Sequence, residues 1–169
     1  MKQKSKKSKG FRKNTVVIIG VLIISLAVFL SYSADQAKLR GYEFGNKLQT
    51  IQDDLKKAQD EFESKVAMLN NNTLSKEKFV DYSKTHFEQM DEIIHRYDRL
   101  STPDSFVNSV KLFKLSTQSQ LESDKQLVQW VQTGDESAKI RSDNLLQESF
   151  QYEIAALASF NSAKGQGNT

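Results

Sequence analysis

Between Gly45 and Gly134 the chain has no glycine and a single proline, Pro103, the only one in its 169 residues. Strands end every few residues at glycine- or proline-rich turns, so stretches this long without a breaker read as helices. No period-two alternation, Asn-Gly or Asp-Gly hairpin signal, or nucleotide-binding glycine loop argues otherwise. The breakers then divide the chain into a few long helices joined by short turns.

The first helix is expected from about Ala34 to Leu69. It carries Phe44, Leu48, Ile51, Leu55, Ala58, Phe62 and Leu69 at a heptad spacing that Lys65 interrupts. Asp53 with Lys57 and Glu61 with Lys65 mark a solvated opposite face. Asn70, Asn71 and Asn72 compete for backbone hydrogen bonds and end it. Ser75 is placed to cap the second helix, with Leu74 and Phe79 as a hydrophobic staple. Its stripe runs through Phe79, Tyr82, His86, Met90, Ile93 and Tyr97.

Pro103 stops that helix and is expected to open the third, with Thr102 as cap. The third helix carries Phe106, Val110, Phe113, Leu121, Val128 and Val131 and ends at Gly134. Asp135 caps the fourth, which runs to about Ala163 through Ile140, Leu146, Phe150, Ile154, Leu157 and Phe160. Leu55, Phe62, Phe113 and Phe150 are therefore expected in the core. Four helices with short connections imply an all-α, antiparallel, up-down-up-down bundle over residues 34–164, followed by a frayed tail at 165–169.

Ahead of the bundle lies a targeting segment. Lys2, Lys4, Lys6, Lys7, Lys9, Arg12 and Lys13 precede an apolar run from Val16 to Leu30, and no acid occurs before Asp35. Residues 15–33 are uncharged, and 19 of them at about 1.5 Å each span a hydrocarbon core of about 30 Å. The pattern predicts a single transmembrane helix acting as an uncleaved signal anchor. The basic tail at 1–14 stays in the cytoplasm, and the bundle lies outside the cell membrane. Ser31 and Ser33 also leave open a cut before Ala34, which would release a secreted form.

Removing the seven N-terminal cations from the 24 basic residues leaves 17 against 21 acidic ones, a net charge of −4 from Ala34 onward. A domain of that charge lacks the basic face that nucleic-acid binding needs, so no nucleic-acid partner is expected. With no cysteine there is no disulfide, no thiol chemistry and no lipid-modified cysteine.

Catalytic signals are absent. Glu92-Ile-Ile-His95 matches half of a di-iron carboxylate site, but that site needs a second copy, and the only other histidine is His86. No metal, no other cofactor and no catalytic residue is expected, so the chain is read as a non-enzyme. Asn71-Asn72-Thr73 is a glycosylation sequon in a predicted outside turn, making Asn71 a candidate acceptor.

One stretch breaks the bundle pattern. Between Ser116 and Gln126 only Leu121 is apolar, so Thr117 and Asp124 fall on the inward stripe. Pairing neighbouring helices about their turns puts Ala58, His86, Thr117 and Tyr152 near one level. His86, Thr117 and Tyr152 therefore form either a hydrogen-bonded structural layer or a small ligand pocket between helices.

The basic signal anchor, the cysteine-free helical remainder, the Ser-Thr-Pro-Asp-Ser-Phe helix start at 101–106 and the Thr-Gly-Asp turn at 133–135 together resemble membrane-anchored helical proteins of prokaryotes. That resemblance implies no assigned activity. The bundle is also similar to the extracytoplasmic four-helix sensor modules of chemoreceptors, although those are bracketed by two spans. The expected function is a membrane-tethered interaction or structural module, contacting lipid and a protein partner or a second copy through the seam of helix 34–69. The alternative is a sensor-like, ligand-binding bundle working with a membrane partner.

Overall fold

The computed structural model describes residues 36–166, with side chains from Gly41 to Gly165. The expected cytoplasmic tail at 1–14, the transmembrane segment at 15–33 and its possible cleavage site lie outside the described residues. Within them the chain forms α1 (Gln36–Asn70), α2 (Lys76–Asp98), α3 (Val107–Thr133) and α4 (Glu136–Gln166), with a 3-10 turn over Asp104–Phe106. No strand occurs among the described residues.

Local chemistry sets the boundaries. Asn72 turns the chain after α1 in the left-handed region, at φ 57°, a conformation that its short polar side chain tolerates. The Ser75 hydroxyl accepts the Lys78 N–H at the start of α2. Gly134 ends α3 at φ 73°, and its N–H bonds the Trp130 carbonyl at 2.7 Å. Asp135 caps α4 by accepting the Ser137 N–H at 2.9 Å.

Two boundary expectations fail. Thr102 caps nothing: its hydroxyl turns back to the Leu100 carbonyl, and the chain enters α3 through the 3-10 turn closed by Phe106 N–H on Pro103 O at 2.8 Å. Proline's fixed φ suits that turn, but Pro103 keeps an extended ψ of 144°, so the helix starts later. At the other end α4 does not fray at Gly165 but remains helical through Gln166.

Cross-helix contacts give the topology. Gln52 meets Tyr97 and Phe62 meets Phe79, so α1 and α2 run antiparallel. Thr117 meets Tyr97 and Asp124 meets His86, reversing α3 against α2. Asn108 bonds Ser159, Ser116 bonds Ser149 and Ser123 bonds Ser142, reversing α4 against α3. All of the seam residues from Phe44 to Phe62 are buried inside this four-helix arrangement. These residues belong to the chain's own core clusters.

The α3–α4 pair is the most closely packed and shows where apolar patterning misleads. Its interface is a ladder of small residues seven apart: Ser109, Ser116 and Ser123 from α3, and Ser142, Ser149, Ala156 and Ala163 from α4, all buried. Small side chains let the helix axes approach closely. Hydroxyls then reach the opposite backbone, Ser116 Oγ donating to Ser149 O at 2.9 Å and Ser123 Oγ to Ser142 O at 2.8 Å. The branched residues of α4 rotate away from so narrow an interface. Ile140 and Ile154 are exposed, Leu146, Phe150 and Leu157 are half-buried, and of the expected stripe only Phe160 is fully inside.

The apolar core falls into two clusters. A large one runs from Phe44, Phe106 and Phe160 through Leu55, Met90 and Leu121. A smaller one around Phe62, Phe79, Val128 and Val131 fills the end at the α1–α2 turn. Polar side chains occupy the space between and beside them.

Candidate functional site

Two polar layers cross the interior. The first gathers Gln52 from α1, Tyr97 from α2, and Thr117 from α3, all buried. Gln52 Nε2 donates to Tyr97 Oη at 2.7 Å, and Thr117 Oγ1 donates to Phe113 O at 3.0 Å. The Thr117 hydrogen is thereby committed, so in the 3.2 Å contact with Thr117 the Tyr97 hydroxyl is the donor. The result is a one-way chain of donors from α1 to α3. Burial pushes the Tyr97 phenol far above its ordinary pKa, which keeps it a donor. Glu153, buried on α4, adds its negative field to the same effect.

The second layer lies one heptad along. His86 is fully buried, and its Nε2 sits 2.9 Å from Asp124 Oδ2. Gln59 Nε2 donates to the same oxygen at 3.4 Å and contacts the Met90 sulfur at 3.8 Å. The His86 ring stacks on Phe62 with centroids 4.3 Å apart. Asp124 is 7 % exposed, and burial raises its pKa although the hydrogen bond and charge of His86 oppose the shift. Glu63, partly buried on α1, is also raised, first by burial and then by Asp60 and Asp124.

Of the three residues expected to share a layer, the structure brings none together directly. His86 pairs with Asp124, and Thr117 pairs with Tyr97, one heptad away. Tyr152 is not in the interior. It is half-buried on α4, where Glu148 raises its pKa first by hydrogen bonding and then by charge. The next residue, Glu153, points inward instead. The error has a physical source: the small-residue ladder 142–149–156–163 faces α3, and positions 152 and 153 flank it on opposite sides, so Glu153 is buried and Tyr152 only half-buried. Ala58, the fourth member of the expected level, is buried as an apolar residue.

Sequence reasoning placed Asp124 on the inward stripe but missed its partner. It also missed Gln52 and Gln59, seven apart and each following a buried residue of the α1 seam, Ile51 or Ala58. That repeated spacing was the available signal. His95 is exposed, and Glu92 pairs instead with Arg99. Among the described residues no three metal-capable side chains cluster. Asn71 is exposed in the α1–α2 turn. An open groove along α1 mixes Lys56, Lys57 and Lys65 with Asp53, Asp60 and Glu61, a lining that selects neither anions nor cations.

The buried carboxylate gives a pH prediction. A folded-state pKa raised above the unfolded value means the native state holds the proton more tightly, so Asp124 costs stability as pH rises above about 4. Asp124→Asn keeps an acceptor for His86 without the charge. Denaturant midpoints of the two proteins from pH 4 to 7 should show the variant gaining on the wild type as pH rises. A constant difference would mean that Asp124 does not titrate differently on folding.

Comparison with known protein families, curated proteins and solved structures returns no match for the chain.

Proposed function

We propose that the chain is a single-pass, membrane-anchored helical bundle serving as a non-enzymatic interaction or structural module on the outer face of the membrane. One observation carries the structural part of this reading. The interior polar groups bond to one another across helices, His86 to Asp124 and Gln52 to Tyr97 to Thr117, as groups that fix helix register do. The membrane part rests on the seven cations before the uncharged segment 15–33. Among the described residues no helix is long and apolar enough to cross a membrane.

The test is attachment. The protein should stay in the membrane fraction through high-salt and carbonate washes, with protease added from outside digesting its C-terminal domain. A soluble form beginning at Ala34 would overturn the anchor and favour secretion.

A second reading, a small ligand held between the helices, has a specific observation behind it. His86 Nδ1 and Gln120 Oε1 are buried polar atoms without a hydrogen-bond partner. On that reading a His86→Ala variant stays folded and loses a ligand. On the structural reading it unfolds more easily.

A further inference from the structure

The exposed side of α4 differs from that of α2. Every exposed position of α2 except Thr85 and His95 is charged, as a solvated face ordinarily is. Between Asn144 and Gly165 the exposed positions of α4 carry a single charge, Glu148. The uncharged positions form a row. Residues 140, 144, 147, 151, 154, 158 and 161 follow one another at alternate spacings of four and three, all are exposed, and none is charged. Ile140 and Ile154, at 60 and 59 % the two most exposed large apolar side chains among the described residues, occupy equivalent places in it, two heptads apart.

This row lies on the side of α4 opposite the small-residue ladder that faces α3, so it points directly away from the bundle. Phe150 and Leu157, both half-buried, border the row on one side, with Asp143 before them and Lys164 after them at the same seven-residue spacing. Arg141, Glu148, Ala155 and Ser162 border it on the other. Two of these four charged groups are engaged within the chain: Arg141 bonds Gln126 and Asp135, and Glu148 bonds Tyr152. Among the described residues neither Asp143 nor Lys164 is in an ion pair.

We propose that the outer face of α4 binds a second copy of the chain, antiparallel, about a two-fold axis passing beside Tyr152 and Glu153. The inference names a partner for the interaction module proposed above and rests on that reading, not on the membrane anchor. With the axis there, Gln151 meets Ile154, Gln147 meets Ala158 and Asn144 meets Asn161 of the second copy, and the two-fold repeats each pair. On the flank Phe150 meets Leu157, which covers two half-buried apolar groups. Beyond them Asp143 meets Lys164, once at each end of the contact, and no like charges oppose each other. Charge selects this arrangement over its alternatives. A parallel pair would align the isoleucines but set Asp143 against Glu148 on both flanks, with only Glu136 and Arg141 to offset the repulsion. Sliding the antiparallel pair by a heptad either sets Glu148 against itself or leaves Asp143 beyond the end of the second copy's α4.

The test uses full-length protein reconstituted into phosphatidylcholine–phosphatidylglycerol vesicles, with a nitroxide on Ser162→Cys, an exposed position in a chain with no other cysteine. In the proposed pair Ser162 faces Arg141 of the second copy, so the helical rise from 141 to 162 sets the two labels about 30–35 Å apart, a distance that dipolar electron resonance reads. Asp143→Lys should reduce the paired fraction several-fold, Asp143→Lys with Lys164→Asp should restore it, and Ile154→Lys should abolish it. Asp143 and Ile154 are exposed and Lys164 is half-buried, so folding should survive, as a helical circular dichroism spectrum would verify. Labels within about 20 Å of each other, the spacing of adjacent parallel helices with their probes, together with stronger pairing of Asp143→Lys, would overturn the antiparallel two-fold. A sample that floats with the vesicles and gives no intermolecular distance would overturn self-pairing while leaving the anchor intact. The long distance in a sample that fails to float would uphold the pairing and remove the anchor alone.

Discussion

His86→Ala is expected to lower the unfolding free energy of the bundle by about 3–5 kcal/mol, because it removes a fully buried ring together with a hydrogen bond to a buried carboxyl group. Among the described residues the core lies between Phe44 and Ala163, all of which a fragment spanning 34–169 contains. Removing the imidazole leaves Asp124, 7 % exposed, with only the 3.4 Å amide of Gln59. It also strips Phe62 of a ring stacked at 4.3 Å. Had Thr117 or Tyr152 been the partner, the loss would be the smaller one of a neutral hydrogen bond, about 1–3 kcal/mol. Urea titration distinguishes the two. A fully stable variant would favour the ligand-site reading, in which binding groups are kept at the expense of stability.

Phe62→Ala is expected to cost a similar amount, about 3–5 kcal/mol, because the ring is 2 % exposed and the site is walled by aromatic groups that collapse poorly. Phe79 lies 5.6 Å away and His86 4.3 Å, so the cavity would open beside the polar pair and admit water to it. Phe150→Ala is the control. The pattern of α4 predicted a core position, yet Phe150 is half-buried and belongs to neither core cluster, so its loss should be well under half that of Phe62. Equal losses at the two positions would mean that Phe150 is packed as fully as Phe62.

Most of the architecture was legible because it depends on backbone chemistry that individual residues announce. Ser75, Gly134 and Asp135 act at the helix ends where their types predicted, and α1 buries its heptad seam from Phe44 to Phe62, with Leu69 half-buried. The apolar stripe of α4 does not mark its inward face, for a reason that hydrophobicity cannot supply. Its packing is decided by smallness, serine and alanine seven apart, and a serine that packs is indistinguishable by polarity from a serine in water. Once α4 is turned by its small residues, Ile140 and Ile154 are carried outward and Glu153 inward, and the layer assigned to Tyr152 disappears. Thr102 failed as a cap because the conformation after Pro103 is a 3-10 turn, an option that the proline alone does not select.

The candidate site was legible in part. An under-hydrophobic third helix marked Thr117 and Asp124 as inward polar residues, and both are buried. Their partners were not readable, since helix crossing angles shift the pairing by a turn or more. That shift moves His86 from Thr117 to Asp124, two turns along α3.

The interior polar groups are expected to act as a register-setting network whose members depend on one another. The most direct measurement is a double-mutant cycle between His86 and Asp124 in the 34–169 fragment, using His86→Leu, Asp124→Leu and the pair. The account predicts that each single change destabilises strongly. It also predicts that the double variant recovers much of the loss, a coupling of about 2–3 kcal/mol, because two apolar groups of similar volume leave no buried charge. Additive losses, with no recovery in the double variant, would contradict it.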